Sequence, residues 1–134
     1  MSYFLKVNND LNHFENDFCR MEIKKEILHC VFFPFLLIDE RVAEIIVRDR
    51  IKFSKGKPYR MLMDISNLKY ITREGREYLA SEIGIKNIIA GAYVATSQNE
   101  KLLWNMFLNI NRPATPSQIF EDKKEALKWL ELFK

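Results

Sequence analysis

Residues 88–96, IIAGAYVAT, constrain the fold most. A near-continuous apolar run of this length reads as a central strand buried on both faces, the habit of a parallel sheet covered by helices. Ala90, Gly91 and Ala92 would let a helix approach closely. A capping box follows at once in Ser97-Gln98-Asn99-Glu100. Leu102, Leu103, Met106, Phe107 and Ile110 then recur at the spacing of one helix face, until Asn111-Arg112-Pro113 breaks it. A buried strand feeding a helix is the repeating unit of an α/β domain.

The same alternation runs along the chain. Residues 18–33 read as a β-hairpin turning on Lys25-Glu26. Pairing residues whose numbers sum to 51 puts Cys19, Met21 and Ile23 against Phe32, Cys30 and Leu28, an all-apolar face. The other face is mixed and sets His29 opposite Glu22. Asp39 caps a helix carrying Val42, Ala43, Ile46, Val47 and Ile51, ended by Gly56 and Pro58. Residues 59–65 form a buried strand. Thr72 caps a helix over 72–84 that Gly84 stops. Residues 117–121 give a short last strand, and Asp122 caps a terminal helix with Ala126, Leu127, Leu130 and Phe133 on one face. Residues 1–17 read as an irregular arm and 18–134 as one domain. The order is ββαβαβαβα: a mixed, mostly parallel five-stranded sheet with four helices mainly on one face.

Composition agrees and excludes several classes. The 134 residues suit one domain, and 48% hydrophobic with 29% charged residues is neither disordered nor collagenous. No stretch approaches 18 apolar residues, which argues against a membrane span. The net charge, 21 − 18 = +3, decides little. No secretory, myristoylation or prenylation signal is seen, so a cytoplasmic location is expected. Cys19 and Cys30 form no metal pattern, and as diagonal neighbours they fit a disulfide poorly.

No catalytic constellation stands out. His13 lies in the arm, and no Ser or Cys is placed to join His29 and Glu22. The four glycines form no phosphate-binding loop, and no metal-ligand spacing occurs. Residues 48–60 are locally basic, which a solvated helix end explains without nucleic acid. We therefore expect no enzyme activity, cofactor, metal, nucleic acid or membrane partner.

The stretch MDISNLKYITREG, residues 63–75, resembles a segment of the STAS (SpoIIAA-like) fold of bacterial anti-sigma-factor antagonists and sulfate-transporter tails. There a strand ends in Asp-Leu-Ser and a helix opens with Asp-Ser-Ser-Gly. Asp64-Ile65-Ser66 fits the first part, and Thr72-Arg73-Glu74-Gly75 falls on the second. Residues 64–84 and the segment FLNINRP, 107–113, look like small uncharacterised bacterial STAS-like proteins, over roughly residues 18–134. The resemblance implies a regulatory protein-interaction module. It departs at the switch, since Arg73 and Glu74 replace the two serines of which one is phosphorylated in antagonists. Glu74 then reads either as a fixed negative charge in place of that phosphate or as an ordinary first-turn acid.

The expected docking residues are Ser66, Asn67, Lys69, Thr72, Arg73 and Glu74, because open α/β sheets bind ligands at the C-terminal ends of their strands. Asp64 would brace that loop. Trp104 and Leu108 extend sideways the stripe of the helix that begins at Gln98. Either a partner contacts them as an exposed apolar patch, or the terminal helix or the arm covers them. The mixed hairpin face, with Phe18, Val31 and Phe33, would suit a homodimer. A second reading is a carrier or sensor of a small apolar ligand or lipid, with five Met and ten Phe lining an adaptable cavity.

Overall fold

The hairpin forms in the register that its apolar pattern dictates. In the computed structural model, which describes residues 12–134, β2 (Cys19–Lys24) pairs antiparallel with β3 (Ile27–Phe32). Cys19 lies opposite Phe32, Met21 opposite Cys30 and Ile23 opposite Leu28. The turn residues Lys25 and Glu26 both have left-handed backbone, φ 52° and 67°, as a two-residue hairpin loop requires. Both cysteines are buried and free.

Residues 12–17, the described part of the expected arm, are ordered. β1 (His13–Glu15) adds an antiparallel edge strand to β2. Phe14 is buried and stacks on Phe53 with ring centroids 5.5 Å apart. Asn16, also buried, accepts hydrogen bonds at Oδ1 from the backbone N–H of Phe18 and of Cys19. The rest of the expected arm, residues 1–11, lies outside the described residues.

From β3 the sheet continues in parallel through β5 (Tyr59–Asp64), β7 (Ile88–Val94) and β8 (Ser117–Phe120). Among the described residues it has six strands with β1, in the order β1-β2-β3-β5-β7-β8, one more than expected. A second, two-stranded parallel sheet joins β4 (Leu36–Ile38) to β6 (Leu68–Ile71). Neither short strand has enough alternation to announce itself in the sequence.

Among the described residues, three helices lie on one face: α1 (Glu40–Phe53), α2 (Arg73–Ala80) and α3 (Gln98–Asn111). Val42, Ala43 and Ile46 of α1 and Trp104 and Phe107 of α3 pack there on Met21, Cys30, Met61 and Met63. The fourth, α4 (Lys123–Leu130), covers the other face. Its Ala126 and Leu130 sit on Ile27, Leu62, Ala90, Ala92 and Val94. The small side chains of β7 are what bring that helix close.

The expected caps form. Asp39 accepts from the Val42 N–H at 2.8 Å, Thr72 from Gly75 at 3.0 Å, and Asp122 from Glu125 at 2.8 Å. The α2 helix nevertheless ends at Ala80, four residues before Gly84, where the backbone of Ser81 turns extended. Gly84 has a different task from stopping a helix. A Cβ there would lie 2.2 Å from the Tyr78 carbonyl oxygen, so the returning chain packs directly on the end of α2. The buried guanidinium of Arg50 holds that return by donating to the carbonyls of Lys86, at 2.8 Å, and Gly84, at 3.2 Å. Burial lowers the pKa of Arg50 to about 10, which still leaves it charged at neutral pH.

Candidate functional site

The chain between β5 and α2 crosses the C-terminal end of the sheet. Asp64 braces it, accepting the Ser66 N–H at 2.9 Å. Asn67 ties it to the end of β3, donating from Nδ2 to the Phe32 carbonyl, and its own carbonyl accepts the Phe35 N–H at 2.9 Å. Residues 68–71, expected as loop, are instead β6, paired with β4. This pairing exposes Tyr70 and Leu37, which are register partners, while Phe35 stands almost fully in solvent.

The six expected docking residues therefore separate. Ser66 and Asn67 are engaged in bracing the crossing, and Thr72 is a helix cap. Arg73 forms an exposed ion pair with Glu77 at 3.1 Å, and Glu74 is exposed in the first turn of α2. Lys69 alone of the six lines the neighbouring cleft, a volume of about 290 Å³.

That cleft opens between β6 and α3. Tyr70, Ile71 and Arg76 are on one side, and Glu100, Leu103 and Trp104 on the other. Here the expected faces of α3 are largely exchanged, although Phe107 is buried as expected. Trp104, read as a candidate exposed patch, is 9% exposed, its ring centroid 5.0 Å from those of both Tyr93 and Phe107. Leu108 is half-buried against the same core. Leu102, Leu103, Met106 and Ile110, read as core, face solvent, with Ile110 68% exposed. The reason lies beneath the helix. The large indole packs on the Tyr93 ring of β7 and against Phe107 of its own helix, which seats it over the sheet.

The result is an exposed apolar stripe on α3 whose Leu103 faces Tyr70 across the cleft. Tyr70 is 49% exposed and Leu103 54% exposed, and both line it. On the hairpin, Val31 is exposed, while Phe18 and Phe33 are half-buried. The space within the core lined by Met21, Met61, Met63 and Phe107 is about 60 Å³, well below the several hundred Å³ of a usual small-molecule pocket.

The histidines pair differently from expectation. His29 is opposite Glu22 in register, yet the Glu22 carboxylate lies 3.0 Å from Nε2 of His13 on β1. Among the described residues, no cluster of His, Cys, Asp and Glu is placed to hold a metal ion, and no helix is long and apolar enough to cross a membrane.

Residues 21–134 match a family described as a domain of unknown function, DUF7793. The chain belongs to this family. No curated protein matches it. Among solved structures, this DUF7793 chain is similar to an uncharacterised protein of the DUF3478 family with a SpoIIAA-like fold, from Shewanella loihica PV-4. The TM-score is 0.60 at 18% identity, over 84% of this chain and 91% of that one. The DUF7793 chain thus has a SpoIIAA-like fold, as the segment at residues 63–75 implies. Identity this low carries the fold and not the function.

Proposed function

We propose that this domain is a non-enzymatic, regulatory interaction module that docks a protein partner over the cleft between β6 and α3. The observation that carries the reading is the meeting at one cleft of two exposed apolar side chains from different elements. These are Tyr70, whose register partner Leu37 is also exposed, and Leu103, on the same helix as exposed Leu102, Met106 and Ile110. Contiguous apolar surface of this kind marks interaction sites, and aromatic anchors supply much of the binding energy there. A volume of about 290 Å³ suits one or two large apolar side chains of a partner segment. Arg73 and Glu74 flank the site as fixed charges, so docking does not wait on a phosphoserine in this turn.

Native mass spectrometry of the protein purified gently from its own cells tests this. The wild type is expected to carry a protein of one reproducible mass, and Leu103→Asp to lose it while its urea midpoint is unchanged. Equal retention of that protein by Leu103→Asp overturns the site. A non-covalent adduct of a few hundred daltons in place of a protein would favour the carrier reading.

A further inference from the structure

On the opposite face of the sheet, basic residues distant in sequence converge. A groove of about 1150 Å³ runs between the β2–β3 hairpin and α4. It is lined by seven cationic side chains and three carboxylates, an excess of four positive charges. The whole chain carries only +3, so the remainder of the molecule is close to neutral. Lys24 and Lys25 stand on the hairpin side, and Lys123, Lys124 and Lys128 on the helix side. Of the carboxylates, Glu131 is already engaged, lying 3.5 Å from Arg60 and 3.4 Å from Lys134. His29 also lines the groove, half-buried. Lys24 and Lys123 bear on it, and among the described residues Glu22 opposes them, its carboxylate lying 3.0 Å from Nε2 of His13.

We propose that this groove binds a compact, multiply phosphorylated anion, whose phosphates bridge Lys24–Lys25 of the hairpin and Lys123–Lys124 of α4. Like charges gathered from two separate elements repel one another, and a ligand of high negative charge relieves that repulsion. The concave shape, walled by a hairpin and a helix, fits a compact anion. The carboxylates of Glu26 and Glu125 interrupt the track of cations that an extended nucleic-acid backbone would follow.

The test is a titration of the full chain with sodium tripolyphosphate, followed by amide and imidazole NMR at fixed ionic strength. Saturable binding is expected, with perturbations confined to residues 24–29 and 123–134. The His29 midpoint should rise by about one pH unit on binding, because an anion placed near Lys24, Lys123 and Glu22 favours the imidazolium. Lys24→Ala combined with Lys123→Ala should weaken binding roughly tenfold or more, while Lys52→Ala with Lys55→Ala, which removes equal charge elsewhere, should leave it within about twofold. Two further arms distinguish the source of the phosphates. Sedimentation with phosphatidylcholine vesicles containing phosphatidylinositol bisphosphate, reversed by tripolyphosphate, would assign a lipid headgroup, and no sedimentation a soluble ligand. Absence of saturation, equal loss in both double variants, or tighter binding to a short DNA duplex than to tripolyphosphate overturns the proposal.

Discussion

Asn16 donates a hydrogen bond from Nδ2 to Oδ2 of Asp49 at 2.9 Å, joining the β1–β2 turn to α1 across 33 residues of chain. Asp49 is only 2% exposed, and its other oxygen lies 3.1 Å from the Arg48 guanidinium. Because both partners are buried, Asn16→Ala leaves a carboxylate short of a donor and also frees two backbone N–H groups of the turn. We expect a loss of about 2–4 kcal/mol in urea unfolding. A loss below about 0.5 kcal/mol would show that the edge strand docks without this bond.

The hairpin turn is built from residues that do not favour it. Lys25 and Glu26 occupy left-handed backbone, which costs a residue bearing a Cβ about 1–2 kcal/mol more than glycine. Replacing them by Asn-Gly, the preferred pair for such turns, should raise stability by about 1 kcal/mol or more. Thermal unfolding reads this directly, and an unchanged or lower midpoint contradicts the turn geometry.

Two glycines should respond differently to alanine. At Gly75 a Cβ would stand 2.7 Å from the carbonyl oxygen of Ile38, so α2 must move away from β4. At Gly56, with φ +72°, no atom lies within 4 Å of the new Cβ, and only backbone strain opposes it. Gly75→Ala is expected to cost about 2 kcal/mol or more and Gly56→Ala about 1 kcal/mol. The reverse order in chemical denaturation would contradict the packing of α2 on β4.

His29 is held below its ordinary value of 6.5, first by burial and then by Lys123 and Lys24, with Glu22 acting weakly the other way. Its folded pKa is therefore below the unfolded one. The unfolded chain binds more protons as pH falls through 6.5, so stability from this group is complete above 6.5 and declines below it. Imidazole NMR should give a midpoint under 6.5, and Lys123→Ala should move it upward. A midpoint above 6.5 in the wild type would contradict the cationic setting.

What the sequence makes legible follows from how locally each feature is specified. The hairpin register is readable because six apolar residues alternate with period two, and a one-residue slip would expose all of them. The caps at Asp39, Thr72, Ser97 and Asp122 are readable because each involves an N–H only three residues away. The orientation of α3 is not, since Leu102, Leu103, Trp104, Met106, Phe107, Leu108 and Ile110 are apolar over most of its circumference. The choice falls to Tyr93, on a distant strand, against which the Trp104 ring packs. The basic groove is equally hidden, because Lys24 and Lys123 meet only once α4 has packed across the sheet.

The outward stripe of α3 is the proposed docking surface. A photocrosslinking amino acid placed at Leu103, compared in cells with one at exposed Lys55 in the turn after α1, tests that most directly. We predict one protein crosslinked from position 103, not from position 55, and lost when Tyr70→Asp is added to the folded protein. Crosslinks from 103 no stronger than those from 55, or unaffected by Tyr70→Asp, would contradict the claim that this cleft receives a partner.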